Sequence, residues 1–145
     1  MNLTNLMQHI IQDSFPELSA GAIEIYYKKI KGAYLDCRRV QQNSYKIRVH
    51  RNLNDAPRQV LVGGIAHELA HIYRDFQRDD LMHFCDLFLY NRFSTYQTYD
   101  ERATDRLVIE RGKGEELLAF LRYANKKRKK YSKKDGLTVK KIIRK

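Results

Sequence analysis

The chain has 145 residues, 43% of them hydrophobic and 31% charged, with two cysteines and a formal net charge of +11. That length suits one domain with a real core, and no stretch approaches the roughly 18 apolar residues of a membrane helix. Cys37 and Cys85 stand alone without a C-x-x-C spacing, and Met1-Asn2-Leu3-Thr4 opens no basic leader, so a disulfide framework, a thiolate zinc site and export by a signal peptide are not expected. The expectation is a soluble, cytoplasmic protein.

Leu3, Leu6, Met7, Ile10 and Ile11 recur at helical spacing and predict a short amphipathic helix, ended by Asp13-Ser14-Phe15-Pro16. After Gly21 the period changes to two, with Ile23, Ile25 and Tyr27 alternating against Glu24, Tyr26 and Lys28. A second strand is predicted around Tyr34 to Val40, and a turn at Gln42-Asn43-Ser44 leads into a third. There Tyr45, Ile47 and Val49 face one way and Lys46, Arg48 and His50 the other. Three sequential strands with short turns predict an antiparallel meander with one wet face.

From Asp55 onward the pattern is helical, with Asp55 as N-cap, Pro57 in the first turn and an end near Asp75. Further helices are predicted near Asp80 to Phe93, Tyr99 to Glu110 and Glu115 to Tyr131. Leu137 to Lys145 fits either a short capped helix or an extended segment. The fold class is therefore α+β, with a single domain over residues 1–125 and a basic tail over 126–145. Twelve Lys or Arg and one acid, Asp135, fall within residues 122–145, so this end carries the whole net charge. Lys126 to Lys145 is accordingly a candidate contact for nucleic acid or another polyanion, and equally a solvated tail that only aids solubility.

His67-Glu68-Leu69-Ala70-His71 carries the chemistry. On a helix the two histidines share one face a turn apart, which suits two nitrogen ligands of one zinc ion. Glu68 lies about 100 degrees round, placed to touch a water on the metal's open side as a general base. Gly63-Gly64 interrupts the helix ahead of the motif at a cost of about 1 kcal/mol each, which predicts another backbone passing close by.

A catalytic zinc needs a third protein ligand. Arg74 and Gln77 occupy the places where an extended form of the motif has Gly and His, which excludes that form. Glu101 lies on a predicted helix with Asp105 one turn later, so Glu101 could bind the ion while Asp105 orients a histidine. His83, among Leu81, Met82 and Phe84, is the alternative third ligand.

A histidine-Glu-x-x-histidine helix followed by Glu-x-x-x-Asp on a later helix resembles the gluzincin branch of zinc metallopeptidases. The small size and preceding strands are most similar to the minigluzincins, which include selecase. The resemblance spans roughly residues 22–123. It implies a zincin-like fold, one Zn2+ per chain held by His67, His71 and Glu101, with Glu68 as catalytic base and acid and Asp105 behind a ligand. It further implies hydrolysis of peptide or unfolded protein substrates, the strand Tyr45 to His50 serving as the edge to which a substrate backbone adds. Latency through the C-terminal segment is known in that family, although the Lys-rich tail is no part of its motif. Two other readings compete. One is a DNA-associated protease similar to the SprT-like group, which would use His83 and give the tail a target. The other is a non-catalytic nucleic-acid-binding protein with structural zinc. Tyr90, Tyr96, Tyr99, His83 and Arg106 are near enough in sequence to supply an oxyanion donor, and spacing singles out none of them; substrate specificity, the tail's partner and the oligomeric state do not follow from the sequence either.

Overall fold

The computed structural model of the protein describes residues 2–127. The basic tail beyond Lys127, with the continuation of the last helix to Tyr131 and the segment Leu137 to Lys145, lies outside them. Helix α1 (Leu3–Ser14) is capped by the Asn2 side chain, which accepts from the Asn5 amide at 3.1 Å, and it buries the five apolar residues that define its stripe. A 3-10 turn at Pro16–Ala20 then leads into the sheet.

The sheet comprises β1 (Ala22–Lys28), β2 (Leu35–Gln41) and β3 (Ser44–His50). Its order is β1-β3-β2, with β3 parallel to β1 and antiparallel to β2. The expected antiparallel meander is therefore corrected to a mixed sheet. Connection length explains the difference. A tight turn through Asn43, at φ 60°, folds β3 back on β2. The longer stretch between β1 and β2 leaves a gap that β3 fills, and β3 must then run parallel to β1. Strand β3 is also the most apolar on one face: Tyr45, Ile47 and Val49 are buried as alternation predicts, which suits a strand with neighbours on both sides. It follows that β3 is not an edge strand, as the resemblance implied. Strand β2 is one edge and β1 the other.

Helix α2 (Arg58–Asp75) starts later than expected. Asp55 is not its cap; Pro57 occupies the capping position with extended ψ of 145°, because the residue before a proline is steered away from the α region and keeps Ala56 and Asp55 out of the first turn. Residues 60–70 of α2 are continuously buried. The close approach expected at Gly63-Gly64 is present. A Cβ on Gly63 would lie 2.0 Å from the carbonyl oxygen of Glu116, and one on Gly64 would lie 2.7 Å from Leu35 Cδ1. The backbone passing Gly63 belongs to α5 (Gly114–Lys126), which buries Leu117, Phe120, Leu121 and Ala124.

Between them run α3 (Asp80–Arg92) and α4 (Ser94–Glu110), separated by the single extended residue Phe93. Helix α4 starts five residues before the expected Tyr99, in a Ser- and Thr-rich first turn of weak helix formers tied to the preceding helix by the Tyr96 hydroxyl, which donates to Asp86. No helix among the described residues is long and apolar enough to cross a membrane.

Candidate metal centre

Helix α2 carries His67 and His71 on one face, and α4 crosses it with Glu101, Thr104 and Asp105. The crossing is fixed by Arg74, one turn after His71. Its Nη1 donates to the Asp100 carbonyl at 2.9 Å, to Thr104 Oγ1 at 3.2 Å and to the Asp100 carboxylate. Arg74, noted in the sequence only as a departure from a longer motif, thus locks the two site helices together.

His67 Nδ1 lies 2.7 Å from Asp105 Oδ1. A carboxylate accepts, so Nδ1 carries the proton and Nε2 offers its lone pair. At His71, Nδ1 faces Thr104 Oγ1 at 3.4 Å, while that hydroxyl donates to the Asp100 carbonyl at 2.8 Å. The histidine nitrogen is again the donor, which leaves Nε2 as the atom that would offer a lone pair to a metal. His67 Nε2, His71 Nε2 and Glu101 Oε2 then lie 3.1 Å from one another on all three sides. A tetrahedral ion with N and O ligands at about 2.0–2.1 Å wants donors about 3.3–3.4 Å apart, so the triangle is within a few tenths of an ångström of a zinc site. Among the described residues these three form the group able to hold a metal.

The electrostatics agree with a seat for positive charge. Burial opposes charging of either imidazole, but Asp105 and Glu101 beside His67, and Glu101 beside His71, outweigh it and push both above their ordinary range. Burial would likewise raise the Glu101 carboxyl, yet His71 and His67 hold it well below the usual carboxylate range. Glu68 differs: burial raises its carboxyl and the histidines offset this only in part.

Glu68, 8% exposed, lines a cleft of about 370 Å³ together with the two histidines and Glu101. The opposite wall is β2, from Leu35 to Cys37 and at Arg39. Burial and the neighbouring Glu68 push the Cys37 thiol well above its ordinary value, keeping it neutral beside the acid. Helix α3 contributes His83 and Tyr90 to the cleft. His83 Nδ1 pairs with Asp75 Oδ1 at 2.9 Å and stands outside the three-donor triangle. Tyr90 donates to Glu101 Oε1 at 2.7 Å, fixing the carboxylate whose other oxygen joins the triangle. Thr104 was not read from the sequence as part of the site, and Tyr90 was read only as one of five candidate oxyanion donors. Thr104 had a signal, being three residues after Glu101 on the same helix face; spacing could not single out Tyr90 from the other candidates, since its position depends on how α3 lies against α4.

Comparison of the chain with protein-family models, with curated proteins and with solved structures returns no match.

Proposed function

We propose that the protein is a zinc-dependent metallopeptidase of the gluzincin type, similar to the minigluzincins. The observation that carries this reading is the convergence of three lone-pair donors, His67 Nε2, His71 Nε2 and Glu101 Oε2, at 3.1 Å spacing beside a buried Glu68 in an open cleft. A purely structural zinc site closes with four protein ligands, whereas three leave a position for water, which favours catalysis over a scaffold role.

Bound at the triangle, zinc would supply Lewis acidity, lowering the pKa of a water in its open position and polarising the scissile carbonyl. Glu68 takes the proton from the attacking water and returns it to the leaving amine. Burial raises its carboxyl toward the range where both transfers are efficient. Asp105 holds His67 in the tautomer that presents Nε2, and Thr104 does the same for His71. Tyr90, whose hydroxyl donates to Glu101 Oε1 before substrate binds, would turn that one O–H from the carboxylate to the oxygen that gains negative charge.

The substrate backbone adds along β2, the edge strand that forms the cleft wall, in place of β3. Residues 126–145 are the candidate inhibitory segment, by family likeness alone.

The test is metal content by mass spectrometry with casein cleavage assayed on the same samples. Wild type should hold one zinc and cleave. Glu68→Gln should hold zinc and not cleave, and Glu101→Ala should lose the metal while His83→Ala keeps it. Zinc retained without cleavage in wild type, with or without residues 126–145, would replace this reading by a zinc-containing nucleic-acid-binding protein.

A further inference from the structure

Helix α3 sits on the protein the wrong way round. None of its residues is fully buried. Its inward stripe is polar: His83 on Asp75 at 2.9 Å, Asp86 with Arg78 at 3.3 Å, and Tyr90 on Glu101 at 2.7 Å. Its outward stripe is apolar. Leu81 is 71% exposed, Phe84 65% and Phe88 55%, with Met82 at 56% on the flank and Phe93 at 52% just past the end.

Leu81, Phe84 and Phe88 lie about one turn apart on a single face, and together with Met82 and Phe93 beside it they present on the order of 600 Å² of largely apolar surface. That is the upper limit of what monomers expose, roughly 300–600 Å², and with its charged ends it approaches the roughly 800 Å² each partner contributes to a standard interface.

We infer that this face is the contact between two copies of the chain, paired through antiparallel α3 helices about a twofold axis. The charges decide the occupant. The face is acidic at its start, where Asp79 and Asp80 are exposed, and basic at its end, where Arg92 is exposed. A helix with unlike ends on one apolar stripe is complementary to itself when reversed. With the axis midway between Phe84 and Phe88, each Phe84 meets the partner's Phe88 and each Arg92 meets the partner's Asp80, both pairs being symmetric about that point. Asp80 also pairs with Arg39 of its own chain, 2.9 Å away, but its side chain is 91% exposed and its carboxylate keeps further acceptor sites for Arg92. An anionic membrane fits less well, because the acidic pair at the helix start would face its headgroups.

The dimer would also brace α3, the helix that brings Tyr90 to Glu101, where the single chain holds it by polar contacts.

Sedimentation equilibrium of the full chain from about 1 to 100 μM tests this. A reversible dimer is expected, converted to monomer by Phe84→Glu with Phe88→Glu at unchanged helical circular dichroism. Arg92→Glu alone should weaken association about tenfold or more, and Asp80→Arg added to it should restore the dimer. A monomer throughout the range overturns the inference, as does a dimer indifferent to Phe84 and Phe88 or a double charge reversal without rescue. A monomer that instead sediments with phosphatidylglycerol vesicles in a Phe88-dependent manner assigns the face to a membrane. A monomer that dimerises only on Ile142→Asp with Ile143→Asp assigns it to the chain's own tail.

Discussion

Replacing Gly63 with alanine adds one methyl group where α2 and α5 come closest. The new Cβ would lie 2.0 Å from the Glu116 carbonyl oxygen, 2.5 Å from its carbon and 2.9 Å from the Leu117 nitrogen, against ordinary contact at 3.4 Å or more. All three atoms are backbone, so no rotamer change relieves the clash and α5 must retreat by more than an ångström. That movement pulls Leu117, Phe120 and Leu121 partly out of the core. Retreat on that scale forfeits about half or more of the dispersion energy of each contact along the seam. Against it stands a helix-propensity gain of about 1 kcal/mol for Gly to Ala. Overpacking costs roughly 1–3 kcal/mol, and with the lost seam contacts the net destabilisation should be about 2–4 kcal/mol. For a domain of this size that lowers Tm by about 7–13 °C. Gly64→Ala is the control: its new Cβ would meet Leu35 Cδ1 at 2.7 Å and the Phe120 ring at 3.2 Å, and the leucine end can turn away, so the loss should stay within about 1 kcal/mol. Thermal and urea unfolding with chelator present, so that metal binding does not enter, measures both. A Gly63→Ala protein as stable as wild type, or more stable than Gly64→Ala, would refute the packing argument.

Asp105→Asn removes the charge that orients His67 and should weaken zinc affinity about 10–100-fold, read by competition with a chromophoric chelator. Tyr90→Phe should leave metal content intact and lower peptide turnover by about 10²-fold; unchanged turnover would remove the phenol from the reaction. At Asp75, burial would raise the carboxyl, but hydrogen bonds from Tyr45, His83 and Arg39 hold it below its ordinary 3.8. A depressed folded-state value stabilises the fold above that ordinary value and ceases to do so as pH falls through the lower one. Asp75→Asn should thus be less stable than wild type near neutrality, by about 1–3 kcal/mol. The gap should narrow below pH 3.8 in unfolding curves recorded against pH; a gap that widens in acid would contradict the sign.

What was readable in the chain is what one helix or one strand decides by itself. His67 and His71 share a face because they are four apart, and Glu101 and Asp105 for the same reason; the alternation in Tyr45 to Val49 fixed which side of β3 is buried. Strand order was not readable, because it depends on whether the 29–34 connection lets a third strand enter between two others. The orientation of α3 was hidden too. Its apolar residues would ordinarily turn inward, but Asp75 and Glu101 claim His83 and Tyr90, and those polar contacts set which side faces out. Arg74 shows the same limit at a single residue: its neighbours on α2 say nothing of Asp100, which lies 26 positions away.

The central place of β3 also bears on the order in which the molecule assembles. Its pairing with β2 closes from Gln41 opposite Ser44 outward, contacts so near in the chain that the hairpin requires little loop closure. Pairing with β1 cannot zip from a turn, since Ala22 must find Ser44 across the whole hairpin. The cleft wall therefore belongs to the portion of the sheet that folds locally and early, and β1 joins a template already made.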